Sequence, residues 1–259
     1  MRIVILGADS KVGRFLRPRW TGSAMWATRH DVDITDTPTL CATLHGADAV
    51  LNLAGVTHRS DVPQTLNADL AHRVLDAAQT AGAGRVFLMS TAAVYGDQTG
   101  PLTEDRQPAP LTPYGHGKHA MEQVAVAHTH PCTIMRVGNL AGADAILGGW
   151  RPGFTLDTFA DGSTPRRSYI GPTALARSLG ALVHLRDAPR VVNVAAPGAV
   201  LMGALLDAAG LEWVARPAPS TAIADVTLDT TLLCTLTSFA VSDRTAQGIV
   251  ADWREGPDI

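Results

Sequence analysis

Six short runs rich in apolar and β-branched residues, at 2–6, 24–28, 47–53, 85–90, 132–137 and 190–195, constrain this chain more than any other feature. Each is apolar nearly throughout instead of alternating, the mark of a strand buried on both faces. Helix-spaced stretches lie between them, most clearly 63–81, where Leu66, Leu70, Val74, Ala77 and Ala78 share one side of a helix. Strands alternating with helices predict an α/β fold: a doubly wound parallel sheet covered on both sides. Residues 1–140 form its core and 190–195 a return strand. Residues 141–259 then make up most of a small C-terminal substrate lobe. It starts with a Gly- and Pro-rich irregular stretch at 142–164. A helix at 198–210, an extended piece at 211–215, a linker at 217–220 and two helices within 227–253 follow.

Composition removes several classes of function. Twenty-one basic residues stand against 24 acidic ones with no basic block, so nucleic acid is not an expected partner. No run approaches the roughly 20 apolar residues of a membrane span, and 2–6 is too short for a signal core. Cys41, Cys132 and Cys234 are far apart and form no framework, which predicts free thiols in the cytoplasm. His58, His116 and His128 lack the spacing of a metal site, so no metal is expected.

Ligands of parallel sheets bind at the carboxyl ends of the strands. Those ends carry Gly7, Arg29, Ala54 with Gly55, Ser90 with Thr91, and Gly138 with Asn139. The turn from Gly7 to Gly13, between a strand and a helix, lets backbone N–H groups and a helix dipole meet a pyrophosphate. Ser10 stands where the glycine pattern has its middle glycine, and is small enough to fit and donate to phosphate. Farther on, Tyr114 and Lys118 stand four apart, in the first turns of a helix that Thr112 caps and Pro113 opens, running to about His128. A phenol with a pKa of about 10 is a poor base at neutral pH, and a neighbouring ammonium draws it down. Taken alone, that spacing is common.

The order and separation of these pieces resemble the extended short-chain dehydrogenase/reductase family, which includes sugar-nucleotide epimerases, dehydratases and reductases. They are the 7–13 turn, Asn52 to Gly55, Asn67, the stretch 90–96 with Thr91 and Tyr95, and 110–118 followed by Glu122. Arg136 to Asn139 and Arg167 to Ile170 complete the series. The resemblance implies a Rossmann-type fold with Tyr114 as general acid/base and Lys118 as the cation that binds the nicotinamide ribose and tunes Tyr114. Thr91 supplies a hydroxyl to the substrate oxygen. It further implies that Gly7, Ser10, Lys11, Gly13, Arg29, Asp33, Ala54, Gly55, Asn67, Ser90 and Lys118 line the cofactor, Asp33 at the adenine and Ser90 packing beside the nicotinamide. A solvent-facing Asn67 reads almost equally well. His58, Asn139 and Arg167 are candidate substrate contacts. Arg166 and Arg167 fit either an anion clamp or pairing with Asp157 and Asp161.

An NAD(P)-dependent oxidoreductase or epimerase acting on a carbonyl or carbinol of a sugar or sugar nucleotide follows from the resemblance. The alternatives are a reductase of a smaller carbonyl compound and a dinucleotide-sensing regulator without turnover; a homodimer is the assembly such relatives suggest. Related dehydratases carry Asp-Glu after the catalytic Thr, where this chain has Ala92 and Ala93, so water elimination lacks its acid and base. Thr173 and Ala174 replace an Asp-Asp-like pair that ties the lobe down, and the chain is short for the family, so the lobe is trimmed. Arg29, with Lys11 as a second cation, favours NADP(H). A shift of one or two residues in the strand end brings Asp31 or Asp33 to the same spot and favours NAD.

Overall fold

The computed structural model describes residues 1–57 and 62–255. In its first half, strands and helices alternate. They are β1 (Ile3–Leu6), α1 (Lys11–Leu16), β2 (Met25–Ala27), α2 (Thr37–Leu44), β3 (Ala49–Asn52), α3 (Leu66–Thr80), β4 (Arg85–Thr91), the short β5 (Pro101–Leu102), α4 (Pro113–Ala127) and β6 (Cys132–Val137). The second half holds β7 (Asn139–Leu140), β8 (Thr155–Thr158), β9 (Arg166–Arg167), β10 (Tyr169–Ile170), α5 (Pro172–Val183), β11 (Val191–Val194), β12 (Val200–Leu201), α6 (Met202–Ala208), β13 (Val214–Pro217), β14 (Asp225–Leu228), α7 (Thr231–Leu236) and α8 (Ala246–Arg254).

Six strands form one parallel sheet in the order β11-β6-β4-β3-β1-β2. The strand pleat explains why both faces are covered, since successive side chains point to opposite sides. Ile3 and Ile5 join a core with Phe15, Leu16, Leu175, Leu179 and Leu233, whereas Val4 and Leu6 join another with Leu40, Leu44, Val74 and Leu75. One face is therefore covered by α1, α5 and α7, the other by α2, α3 and α4. This is the doubly wound, Rossmann-like α/β fold. The strand order reverses between β1 and β3, and a crevice opens there at the carboxyl ends.

A smaller core of Ile146, Leu147, Leu156, Tyr169, Leu205, Leu206, Ile249 and Val250 marks the lobe. Parallel β8–β13 and the sheet β12-β9-β14-β5 belong to this side of the molecule. Two details differ from the sequence reading. Residues 225–228 form a strand, and α7 packs through Leu233 onto the main sheet instead of the lobe, leaving α8 as the tail helix that does enter it. The tie placed in doubt by Thr173 and Ala174 is made in another way. Asp252 of α8 accepts hydrogen bonds from the Thr173 and Ala174 amides, which are orphan donors of the first turn of α5.

Candidate active site

Helix α4 opens as its sequence dictates. The Thr112 hydroxyl accepts from the Gly115 amide at 3.1 Å, and Pro113 occupies the first helical position. Gly115 and Gly117 let this turn press into its surroundings: a Cβ would lie 2.7 Å from the Ala93 carbonyl oxygen at Gly115 and 2.5 Å from that of Gln64 at Gly117. Tyr114 is thereby brought to the end of β4, where its hydroxyl shares a hydrogen bond with that of Thr91. The Thr91 oxygen also accepts from the Ala93 amide at 3.2 Å, which starts the 3-10 turn Ala92–Tyr95 and fixes the threonine rotamer. One helical turn below, the buried Lys118 donates to the Met89 carbonyl at 2.8 Å.

Burial acts on both groups. It pushes the Tyr114 phenol above its usual value, and the Thr91 hydrogen bond pulls it back in part. The same effect lowers the Lys118 ammonium to about 8, opposed by the carboxylate of Glu122. The dominant influence on the phenol in this structure is thus burial, not the lysine that the sequence spacing pointed to.

A cleft of about 570 Å³ runs from the first turn across the ends of β2 and β3, lined by Gly7, Asp9, Ser10, Arg29, Asp33, Ala54 and Gly55 among others. Gly7 has φ +78, and a Cβ there would sit 2.6 Å from the Ala54 nitrogen, so this turn admits no side chain. Gly13 closes on the carbonyls of Gly7 and Ala8 in the same way. At Gly55, a Cβ would meet Asn67 Oδ1 at 2.8 Å and Lys118 Nζ at 3.1 Å, which joins the cleft to the Tyr-Lys helix. The floor is a backbone cradle, of the kind a dinucleotide needs for close approach.

Several expected cofactor residues make contacts that the sequence does not name, and Lys11 is off the cleft lining. Ser10 caps α1, accepting from the Gly13 amide at 3.0 Å, which explains a serine where the pattern has glycine. Lys11 is turned to the lobe, its ammonium 2.9 Å from where a Gly148 Cβ would be, and does not line the cleft with Arg29. Arg29 is exposed and pairs with Asp9 at 3.6 Å, a carboxylate the sequence reading passed over. Asp33 bonds the amide and hydroxyl of Thr35 from the cleft wall, and Asp31 does the same for Thr28. Asn67 does not face solvent: it is buried and clamps Val56 through both its amide and carbonyl, at 3.0 and 3.1 Å. Ser90 is buried and donates to Glu122 at 2.6 Å.

The substrate candidates among the described residues lie on separate short elements. His58 lies outside the described residues. Asn139 is in β7 beside Tyr169 of β10. Arg167 donates to the carbonyls of Arg166, Ile223 and Ala224, while Arg166 pairs with Asp225 at 3.0 Å. Neither meets Asp157, which holds Arg216, or Asp161, which caps Ser163. His116 is exposed. Spacing alone also hid a cluster that two helices assemble: Asp76 bridges His72 at 3.0 Å and His128 at 3.1 Å. His128 Nδ1 accepts from the His130 amide, which turns its Nε2 to Asp76.

With the geometry in view, similarity to known proteins can be stated. Residues 3–149, more than half of the chain, match the NAD dependent epimerase/dehydratase family. A UDP-glucose 4-epimerase of Azospirillum brasilense is 36% identical over 111 residues, which is 39% of this chain and 32% of that protein. The match thus spans about a third of that relative's length. A solved UDP-glucose-4-epimerase from Stenotrophomonas maltophila, with bound NAD and formylated UDP-arabinopyranose, superimposes with a TM-score of 0.78 at 19% identity, covering 98% of this chain and 97% of that one. A short-chain dehydrogenase/reductase superfamily protein from Agrobacterium tumefaciens with bound NAD gives 0.77 at 17% identity, covering 98% and 96%. No helix among the described residues is long and apolar enough to cross a membrane. With the family model covering more than half of its residues, the chain belongs to the NAD dependent epimerase/dehydratase family.

Proposed function

We propose that the chain is an NAD(P)-dependent oxidoreductase or epimerase acting at a carbonyl or carbinol carbon of a sugar or sugar nucleotide. The observation that carries this reading is the hydrogen bond between Tyr114 and Thr91 with the Lys118 ammonium one turn below, at the Gly55 end of the cleft. A nicotinamide supplies the hydride chemistry when bound. The protein's own part is the proton: a carbinol losing hydride from carbon loses a proton from oxygen at nearly the same moment, and Tyr114 is the group to take it or return it. Thr91 holds the same oxygen, and Lys118 stabilises the phenolate. Similarity to UDP-glucose 4-epimerases supports a nucleotide-sugar substrate over a smaller carbonyl compound. Retention of the Tyr-Thr-Lys set supports turnover over dinucleotide sensing.

Arg29 in the cleft wall supports a preference for NADP(H), since its guanidinium would pair with a 2'-phosphate bound there. Asp9, at 3.6 Å from it, keeps that preference modest by repelling the same phosphate. The structural relatives named above bind NAD. A homodimer and a reducing compartment belong to this reading, the latter supported by three free cysteines.

The test is Tyr114→Phe, assayed with UDP-sugars and both dinucleotides, with products read by mass spectrometry. Turnover falls by about 100-fold or more while cofactor affinity stays within a few-fold. A variant keeping more than about a tenth of the wild-type kcat would overturn the assignment, given that general acid/base catalysis is worth on the order of 100-fold.

A further inference from the structure

Beneath the Tyr-Lys pair lies a polar cluster that the reading above does not use. Ser90, Glu122, Arg136 and Asn193 are each at most 4% exposed, and the Tyr95 ring is fully buried. Glu122 is one helical turn beyond Lys118, so Tyr114, Lys118 and Glu122 follow one another at intervals of four along one face of α4. Its carboxylate accepts from the Ser90 hydroxyl at 2.6 Å and from two nitrogens of the Arg136 guanidinium, Nε at 3.1 Å and Nη2 at 2.9 Å. The remaining arm of Arg136 donates to the Tyr95 hydroxyl and to the Glu104 carbonyl, both at 3.0 Å. Tyr95 in turn reaches Asn193 of β11 at 2.8 Å.

We propose that Glu122 is a positioning residue for the acid/base pair: its buried carboxylate, paired with Arg136, supports the Lys118 ammonium one turn away and, through Ser90, ties helix α4 to the strand end that carries Thr91. The inference rests on the proposed role of Tyr114 and Lys118. A buried ammonium whose one acceptor among the described residues is the Met89 carbonyl loses most of its hydration, and an anion close by favours its charged form. The groups that face Lys118 decide which anion that is. From its own helix comes Glu122; α3 offers the neutral Asn67 side chain and β4 a carbonyl. Behind Glu122 stand Arg136 from β6 and Tyr95 from the turn after β4. Among the described residues, Glu122 is the carboxylate that raises the lysine's proton affinity. Arg136 pairs with that carboxylate at 2.9 Å, the partner that a buried charge requires.

The sequence makes the test direct, for the chain holds two lysines, Lys11 and Lys118. Protein labelled with 13C- and 15N-lysine therefore gives two side-chain titrations by NMR, assigned by comparison with Lys118→Met. In Glu122→Gln the Lys118 titration moves down by about one pH unit or more, the size expected for losing an opposite charge within one helical turn. Lys11 does not move. Glu122→Gln leaves Arg136 buried without its partner and can cost the fold. Glu122→Gln with Arg136→Gln removes both charges, a change buried pairs tolerate far better, and Lys118 again titrates lower. A Lys118 titration that stays within about 0.3 pH units in either folded variant, against the one-unit shift expected, overturns the inference. A merely structural Glu122 would lower the melting temperature without moving that titration. The measurement uses cofactor-free protein and no substrate, so it stands apart from Tyr114→Phe kinetics, which alone decide the proposed reaction.

Discussion

Replacing Lys118 with methionine should make this protein more stable and inactive at once. The lysine is buried and its ammonium is lowered from 10.5 to about 8 by that burial. A depression of this size corresponds to about 3 kcal/mol of folding free energy spent on keeping the charge inside. Below pH 8 the folded and unfolded chains both hold the proton, so the whole cost is present. Between 8 and 10.5 the folded lysine has released its proton while the unfolded one retains it, so stability rises with pH; above 10.5 the penalty is gone. Methionine fills nearly the same volume without a charge, but forfeits the hydrogen bond to the Met89 carbonyl, worth about 1 kcal/mol. The net gain at neutral pH is then about 2 kcal/mol, or roughly 5 °C in melting temperature for a chain of this length. Urea unfolding of both proteins at neutral pH and again near the upper titration limit measures the difference directly. A methionine variant that is less stable at neutral pH, or whose advantage does not shrink as pH rises, would refute the reasoning.

Gly55→Ala puts a methyl group 2.8 Å from Asn67 Oδ1, and Asn67 cannot step aside because it clamps Val56; stability should fall by about 1–3 kcal/mol, with weaker cofactor binding by calorimetry. Retained stability and affinity would show that the 52–57 segment gives way. Arg29→Ala should lose NADPH affinity selectively, and Asp9→Asn should gain it, because the two side chains face each other at 3.6 Å; equal effects on both dinucleotides would remove Arg29 from the ribose site. Incubation with nucleotide-sugars should yield no 4-keto-6-deoxy product by mass spectrometry, since Ala92 and Ala93 offer no acid or base for water elimination.

The main sheet was legible because its strands are buried on both faces, which leaves continuous apolar runs that hardly any other structure produces. Helix α4 was legible through Thr112 and Pro113, which fix its start by local chemistry alone. Residues whose meaning depends on a distant partner were not. The cap that Ser10 gives α1, beside its place in the cleft wall, shows only once that helix is formed. For Arg166 and Arg167 the pattern offered an anion clamp or Asp157 and Asp161, and it did not name Asp225 or the carbonyls at 223 and 224 that β14 brings against them. The two helices expected in the tail belong to different cores, because α7 carries its apolar side toward α5 and β11 and the residue pattern does not name that neighbour. His72, Asp76 and His128 escaped for the same reason, being close only where α3 and α4 pack.

The shifts at Tyr114 and Lys118 together bear on the direction in which the pair works most readily. Burial raises the phenol's proton affinity and lowers the ammonium's, so the two groups move apart and reverse their usual order. At neutral pH the resting site is a phenol beside an ammonium. Under the proposed mechanism such a phenol is a ready donor to an alkoxide, and Thr91 and Lys118 are the groups proposed to hold the phenolate it leaves behind. Acting as a base is harder from this starting point, for the phenol must first ionise in a place that disfavours charge. A further cation near it changes that balance, and an oxidised nicotinamide carries one. The buried Glu122 works toward the same end by keeping Lys118 charged. On this reading, proton abstraction follows dinucleotide binding, and the cofactor-free protein keeps its tyrosine protonated.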